Sequence, residues 1–346
     1  MRRALLATAV LAAACYAPEP QPGAPCTASS DCPSPLICSP QQTCERDPQG
    51  IMPGDASPDD ARSDAPPIDG CAPATEICGN GIDDDCDGVD PACAANDGPA
   101  GAIDVTAGGM FQGDARLATD DVAAAGCGGT GGRDLFFRVV LTAPQVYYFD
   151  TFGSAYDTVI RVHRKSCAAV VTGVAADACS DDACNGGQSQ VAASLPAGES
   201  CIVVDERDGA QTGGTLALRV LRGGRNGRPL ARGIQVNTGD TCTGTNTAEP
   251  GCANNGAKDH PYFFTTCPGE TLKLDADTCP EPGSWDPVLH VERVEGNQLA
   301  CNDDSCGLGS RLTNVTIANS ALYFLYVEGF ESGECGPYQL DTNLRP

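Results

Sequence analysis

Apolar residues along the chain fall in short runs broken by Gly, Pro and Asp, and they do not recur at helical spacing. Leu135-Phe136-Phe137-Arg138-Val139-Val140-Leu141 and Thr158-Val159-Ile160-Arg161-Val162 are rich in β-branched and aromatic residues. So are Cys201-Ile202-Val203-Val204 and Leu322-Tyr323-Phe324-Leu325-Tyr326-Val327. Side chains of this kind fit a pleated, half-buried surface. No stretch joins a 3.6-residue apolar period to capping residues. The pattern predicts an all-β protein of many short strands linked by polar turns.

The runs repeat. Cys179-Ser180-Asp181-Asp182-Ala183-Cys184 matches Cys301-Asn302-Asp303-Asp304-Ser305-Cys306 at an offset of 122. The same offset pairs Val203 with Leu325, Glu206 with Glu328, Gly214 with Gly336 and Leu218 with Leu340. Allowing small insertions, Phe136-Phe137 matches Phe263-Phe264, Tyr156-Asp157 matches Trp285-Asp286, and Cys127 matches Cys252. A period this long holds a whole domain. The expected fold is two tandem antiparallel β-sandwiches, residues 100–222 and 235–346.

The upstream residues read differently. Met1-Arg2-Arg3 precedes an eleven-residue apolar run, Ala4 to Ala14, too short to span a bilayer and suited to a secretory signal over 1–14. The run ends Leu11-Ala12-Ala13-Ala14-Cys15, which resembles the lipobox of bacterial lipoproteins. That resemblance implies acylation of Cys15, a tether over 15–25, and contact with the outer membrane or cell surface through the lipid alone. Ordinary cleavage at Ala-x-Ala is the alternative. Residues 26–44 carry four cysteines spaced six apart and read as a small two-disulfide knot. Residues 45–70 set seven acids against two arginines with few large apolar residues, so a disordered linker is expected. A second Cys-rich module follows at 71–93.

Charge and cysteine count narrow the possibilities. Asp+Glu number 46 against 21 Lys+Arg, a net charge of −25, which leaves nothing to neutralise nucleic acid phosphates at scale. The 21 cysteines imply disulfides formed in an oxidising compartment. Setting Cys15 aside, five cysteines fall in the first sandwich and seven in the second. Both counts are odd, so at least one bond should join the sandwiches. Within the copies, Cys127–Cys184, Cys167–Cys179 and Cys252–Cys306 are the expected pairs.

The strongest candidate chemistry is Asp83-x-Asp85-x-Asp87-Gly88, which resembles the start of an EF-hand calcium loop, with Ala94 in place of the closing Glu. Cys78 and Cys86 flank its first carboxylates, and Cys71 and Cys93 bracket the module. With these thiols spent in disulfides, oxygen ligands favour calcium: Asp83, Asp85, Asp87, the Val89 carbonyl, and Asp90 or Glu76. The segment from Glu76 to Gly88 also resembles the MopE-like metal-binding motif of bacterial surface proteins. That resemblance implies a metal and, as an alternative, copper at His260 and His290 near Trp285. The pairs Asp181-Asp182 and Asp303-Asp304, with Asp157 and Asp286, admit either a calcium clamp or simple turn capping, and turn capping is the simpler reading.

Each repeat resembles the bacterial pre-peptidase C-terminal domain. The shared features are the Phe-rich first strand, Tyr156-Asp157-Thr158-Val159 or Trp285-Asp286-Pro287-Val288, the double Asp, and a late strand opened by Leu195-Pro196-Ala197-Gly198. The resemblance implies a jelly-roll-like sandwich and an accessory role toward an unknown polysaccharide or protein ligand. No Gly-x-Ser-x-Gly, His-Glu-x-x-His or phosphate-binding Gly-Lys-Ser/Thr motif is present, so catalysis is not expected. The resulting expectation is a non-catalytic, calcium-binding cell-envelope lipoprotein that displays binding or adhesion modules. An accessory substrate-targeting component of a secreted hydrolase system and a copper-scavenging surface protein are the rivals.

Overall fold

The computed structural model describes residues 76–122, 127–128, 131–170, 174–208, 213–254, 256–279 and 285–346, together with 32, 36–39, 42–46 and 74. Cys15, Cys71 and the 45–70 linker after Arg46 lie outside these. Two compact units divide the chain, residues 1–70 and 71–346. In the first, β1 (Leu36–Cys38) and β2 (Cys44–Arg46) form an antiparallel hairpin held by a Cys32–Cys44 disulfide.

The second unit holds the two sandwiches. The first opens with β3 (Ile103–Asp104), β4 (Gly109–Asp114), β5 (Asp134–Leu141) and β6 (Gln145–Asp150). It continues with β7 (Thr158–His163), β8 (Ala178–Asp181), β9 (Gln190–Leu195), β10 (Gly198–Glu206) and β11 (Thr215–Arg222). A five-stranded sheet in the order β3-β5-β10-β7-β8 packs on a four-stranded sheet, β4-β11-β6-β9. The second copy opens with β12 (Arg228–Pro229), β13 (Gly233–Asp240), β14 (Asp259–Thr265) and β15 (Leu272–Asp277). Then come β16 (Pro287–Arg293), β17 (Gln298–Asn302), β18 (Arg311–Ile317), β19 (Leu322–Gly329) and β20 (Pro337–Arg345). Its sheets run β12-β14-β19-β16-β17 and β13-β20-β15-β18, the same order strand for strand.

Alternation builds each core, because successive strand residues point to opposite faces. In the first sandwich Phe137, Val139, Ile160, Val162, Ile202 and Val204 meet Tyr147, Phe149, Leu216 and Leu218. In the second, Tyr262, Phe264, Leu289, Val291, Leu325 and Val327 meet Leu272, Leu274, Leu312 and Leu340.

The offset of 122 does not hold throughout. Asp134 lies opposite Asp205, and Asp259 opposite Glu328. Arg161 lies opposite Val203, and His290 opposite Tyr326. The counterpart of Glu328 is therefore Asp205, not Glu206, and β10 and β19 are related by 123. A slip of one residue moves every side chain to the other face. It also makes Phe330 the counterpart of Arg207, since their amides donate to the carbonyls of Asp286 and Asp157 respectively.

The sandwiches are joined in two ways. The outer face of the first four-stranded sheet, with Val146 and Tyr148, packs on Phe263, Leu322, Phe324 and Tyr326 of the second five-stranded sheet. Arg225, on the connecting segment, lies 5.0 Å from the Phe324 ring and 5.6 Å from the Tyr326 ring, and bonds to Glu292 and the Tyr326 hydroxyl. The Cys184–Cys267 disulfide supplies the covalent link that the odd cysteine counts require.

The expected pairings within the copies are corrected. The bonds are Cys127–Cys179 and Cys167–Cys201 in the first, and Cys252–Cys301, Cys279–Cys306 and Cys242–Cys335 in the second. Cys127–Cys184, Cys167–Cys179 and Cys252–Cys306 do not form. Between Cys179 and Cys184 the backbone turns through two left-handed residues, Asp182 (φ 48°) and Cys184 (φ 61°), and this sets Cys184 against the second sandwich. Cys167 is fully buried beside Cys201 of β10. The preserved match of Cys127–Cys179 with Cys252–Cys301 confirms that the two bonds are one feature in two copies.

Candidate metal centre

Residues 76–93 have no regular secondary structure and are held by a Cys78–Cys93 disulfide; Cys86 is also disulfide-bonded. Acidic side chains organise this loop by accepting backbone amides. Asp83 Oδ2 accepts from Gly88 N at 2.8 Å and Oδ1 from Asp87 N at 3.0 Å. Asp85 Oδ1 accepts from Asp87 N, and Asp87 Oδ1 from Val89 N at 2.9 Å. Gly88 adopts φ 96°, a conformation that suits glycine and lets the chain close on the Asp83 carboxylate.

One element comes from outside the Asp run. Glu76 Oε2 accepts from the amides of Asp84 and Asp85 at 2.9 and 3.0 Å, while its Oε1 is buried without a hydrogen bond. Oxygens of Glu76, Asp83 and Asp85 lie within 4.8 Å of one another. Asp90 turns elsewhere, to the amides of Gly79 and Gly81 at 2.7 and 2.6 Å. Asp87 is not part of the converging group. The expected set is thus split: Glu76, Asp83 and Asp85 converge, and Asp87, Val89 and Asp90 build the turn. Carboxylate and carbonyl oxygens suit a hard cation such as calcium.

A second acidic grouping repeats in both sandwiches. Asp157 comes together with Asp181 and Asp182, and Asp286 with Asp303 and Asp304. The two corners differ in their neutralisation. Arg207 lies 3.4, 3.7 and 3.9 Å from Asp157, Asp181 and Asp182. In the second corner Phe330 stands at that position and Glu334 adds a fourth carboxylate. Burial, then the charges of Asp303, Asp304 and Glu334, push Asp286 up to about 6.

No family model matches the sequence, and no curated protein is similar to it. Among solved structures, the pre-peptidase C-terminal domain of a collagenase from Bacillus anthracis shares 11% identity over 34% of this chain and 96% of that one, with a TM-score of 0.23. The CUB1-EGF-CUB2 region of human MASP-1/3 shares 11% over 68% of this chain and 99% of that one, at 0.18. The M60 catalytic domain with two CBM51 domains of Clostridium perfringens ZmpB shares 11% over 68% and 37%, also at 0.18. The sandwich assignment rests on this chain's own strand order.

The histidines lie outside these acidic groups. His163 and His290 are buried at 0% and 1% exposure, and His260 bonds Thr243 Oγ1 and the Tyr338 hydroxyl. None joins a metal-capable group among the described residues. Sequence reading passed over one relation entirely: His290 occupies the place of Arg161. Arg161 pairs with buried Asp205 at 2.8 Å. His290 Nδ1 faces Glu328 Oε1 at the same distance, both 1% exposed. Burial raises Glu328 to about 9 and lowers His290 to about 4, so this second pair is neutral at pH 7. The signal was available in the alternation of β10 and β19, once the register was set at 123.

Proposed function

We propose that this chain is a non-catalytic, calcium-binding display module of the cell envelope, held at the membrane by a lipid on Cys15. The reading is carried by the convergence of Glu76, Asp83 and Asp85 in a disulfide-closed loop whose turn is already shaped around the Asp83 carboxylate. In that loop Glu76 takes the place of the missing closing Glu, and its unbonded Oε1 is the oxygen left for a cation. Calcium drawn to three carboxylates relieves their mutual repulsion and stiffens the segment that precedes the sandwiches. The density of disulfides, eight of them with both partners among the described residues, supports an oxidising, exported setting. Two stacked sandwiches then form a stiff platform for a polysaccharide or protein ligand, a role open equally to an accessory component of a secreted hydrolase system.

Calorimetric titration of the full chain with calcium tests the metal reading. Binding on the order of 10⁻⁴–10⁻³ M is expected for a site of this kind. It should be lost in Asp85→Ala and weakened in Glu76→Gln. A stoichiometry of two would add the Arg-free corner at Asp286. No heat at millimolar calcium, or titrations unchanged in both variants, would end the proposal. Detergent partitioning of wild type against Cys15→Ser tests the anchor separately, and equal aqueous recovery of the two would refute it.

A further inference from the structure

A groove of about 600 Å³ runs where the connecting segment Gly224–Arg228 crosses between the sandwiches. Its size lies within the range of small-molecule sites. Its charge is the reverse of the protein's. The chain carries −25 overall, yet the groove is lined by Arg225, Arg228 and His260 with a single carboxylate, Asp259. That carboxylate is 1% exposed and already occupied: it accepts from the amides of Thr247 and Ala248 and from the Thr247 hydroxyl. It is therefore turned into the protein, its oxygens spent on these donors rather than presented to the groove.

The two arginines differ in freedom. Arg225 is half-buried and committed to Glu292 and the Tyr326 hydroxyl. Arg228 is exposed and makes no ion pair with any described residue; its Nη1 donates to the Thr238 carbonyl at 3.1 Å. One guanidinium edge is thus spent on backbone, and the remaining donors are available to a planar anion. His260 helps by staying neutral. Burial and the charge of Arg228 hold it below the usual histidine range, so it leaves Arg228 as the groove's free cation. The Asn226 amide nitrogen and the Thr245 hydroxyl add exposed hydrogen-bonding groups around it, whereas Thr243 Oγ1 already donates to the Asp240 carbonyl and bonds His260 Nε2.

We infer that this groove binds a carboxylate-bearing sugar unit, with Arg228 on the carboxylate and Asn226 and Thr245 on the hydroxyls. A guanidinium matches a carboxylate bidentately, and amide and hydroxyl groups match the mixed donors and acceptors of a sugar ring. The inference names a ligand class for the display module proposed above and rests on that reading only for its biological setting. The acidic surface disfavours long polyanions, so a single terminal or free acidic sugar is the fitting form.

Titration of the full chain with galacturonic acid, and in parallel with trigalacturonate and galactose, tests it. Galacturonate should bind, galactose at least ten-fold more weakly, and Arg228→Ala should lose at least ten-fold for galacturonate while Arg311→Ala does not. Binding to trigalacturonate as tight as or tighter than to the monomer would point to a glycan end as the source. Weaker binding to the trimer would point to the free sugar. Arg228 is exposed, so its variant should fold, and an unchanged melting temperature checks this. Equal binding of galactose and galacturonate, no binding of galacturonate, or wild-type affinity in Arg228→Ala would overturn the inference. Repeating the titration in excess chelator separates this outcome from the calcium reading, because the groove shares no residue with the 76–93 loop.

Discussion

Arg161 and His290 stand at the same place in two copies of one sandwich, each on the outer face of a five-stranded sheet beside a buried acid. The first copy covers that face with its own loops: Ala102, Val122, Cys167 and Val170 lie on Phe136, Cys201 and Val203. Its Arg161 is tied to the cover through the Cys127 and Gly128 carbonyls. The second copy has its face covered by the first sandwich, and an aromatic layer of Phe263, Phe324 and Tyr326 replaces the loops. There the polar pair is neutral, and the His290 ring stacks on Tyr326 at 4.3 Å. Loop carbonyls solvate the buried Arg161 guanidinium, whereas the aromatic layer gives the His290 ring a stacking partner and leaves charge on that face to the less buried Arg225–Glu292 pair.

The largest effect should come from breaking the charged pair. Arg161→Met leaves Asp205 buried and unpaired and should cost about 3–5 kcal/mol of unfolding free energy. His290→Phe, which removes a neutral partner, should cost about 1–3 kcal/mol. Chemical denaturation of both variants measures this, and equal or reversed costs would break the comparison.

Next is the covalent link. The double variant Cys184→Ser, Cys267→Ser should lose about 2–4 kcal/mol. Its calorimetric trace should separate into two transitions, because each sandwich keeps its own core. A single transition at the wild-type temperature would show that the apolar contact alone couples the copies.

The acid corners sharpen the comparison through pH. Asp286 in the folded protein titrates near 6, above its ordinary 3.8. Between those values the folded state holds a proton that the unfolded state releases. Stability should therefore rise as pH falls through 6 and level off near 4. Glu328 and Asp134, also raised, push the same way, so the informative quantity is the difference between wild type and Asp286→Asn. The variant should show a shallower rise over this window. Identical slopes would remove Asp286 from the account.

The smallest effect belongs to the neutralised corner. Arg207 is 44% exposed, so Arg207→Gln should cost no more than about 1 kcal/mol. It should nevertheless steepen the pH dependence of stability, since the first corner would then resemble the second. A pH profile unchanged from wild type would mean that the guanidinium does not set the difference between the corners.

The sequence carried the architecture well because strands of alternating burial repeat visibly, and two copies constrain each other. The odd cysteine counts likewise required a bond between the sandwiches, though not which one. Register was harder. The loop after β10 is one residue shorter in the second copy, so an offset fitted at Cys179 and Gly214 misplaces the strand between them. Disulfide pairs were missed because Cys179 and Cys184 are neighbours in sequence, and only the left-handed turn at Asp182 sends them to different partners. In the loop at 76–93 the spacing of acids was legible. Which of them turn inward depended on amide donors that spacing does not reveal.

The disulfides also determine how this protein carries load. Cys127–Cys179, Cys184–Cys267 and Cys279–Cys306 lie end to end along the chain. A pull across the two sandwiches therefore passes from bond to bond. The only free contour is the chain from Cys179 to Cys184 and from Cys267 to Cys279. At about 3.5 Å per residue for those stretches, with the three bonds spanning 6.1, 5.6 and 5.7 Å between Cα atoms, the path from Cys127 to Cys306 could lengthen to about 77 Å, where the unbonded chain would reach about 600 Å. Tension that tears both sheets apart would still find a short, nearly inextensible strap, and only a reductant would release the slack.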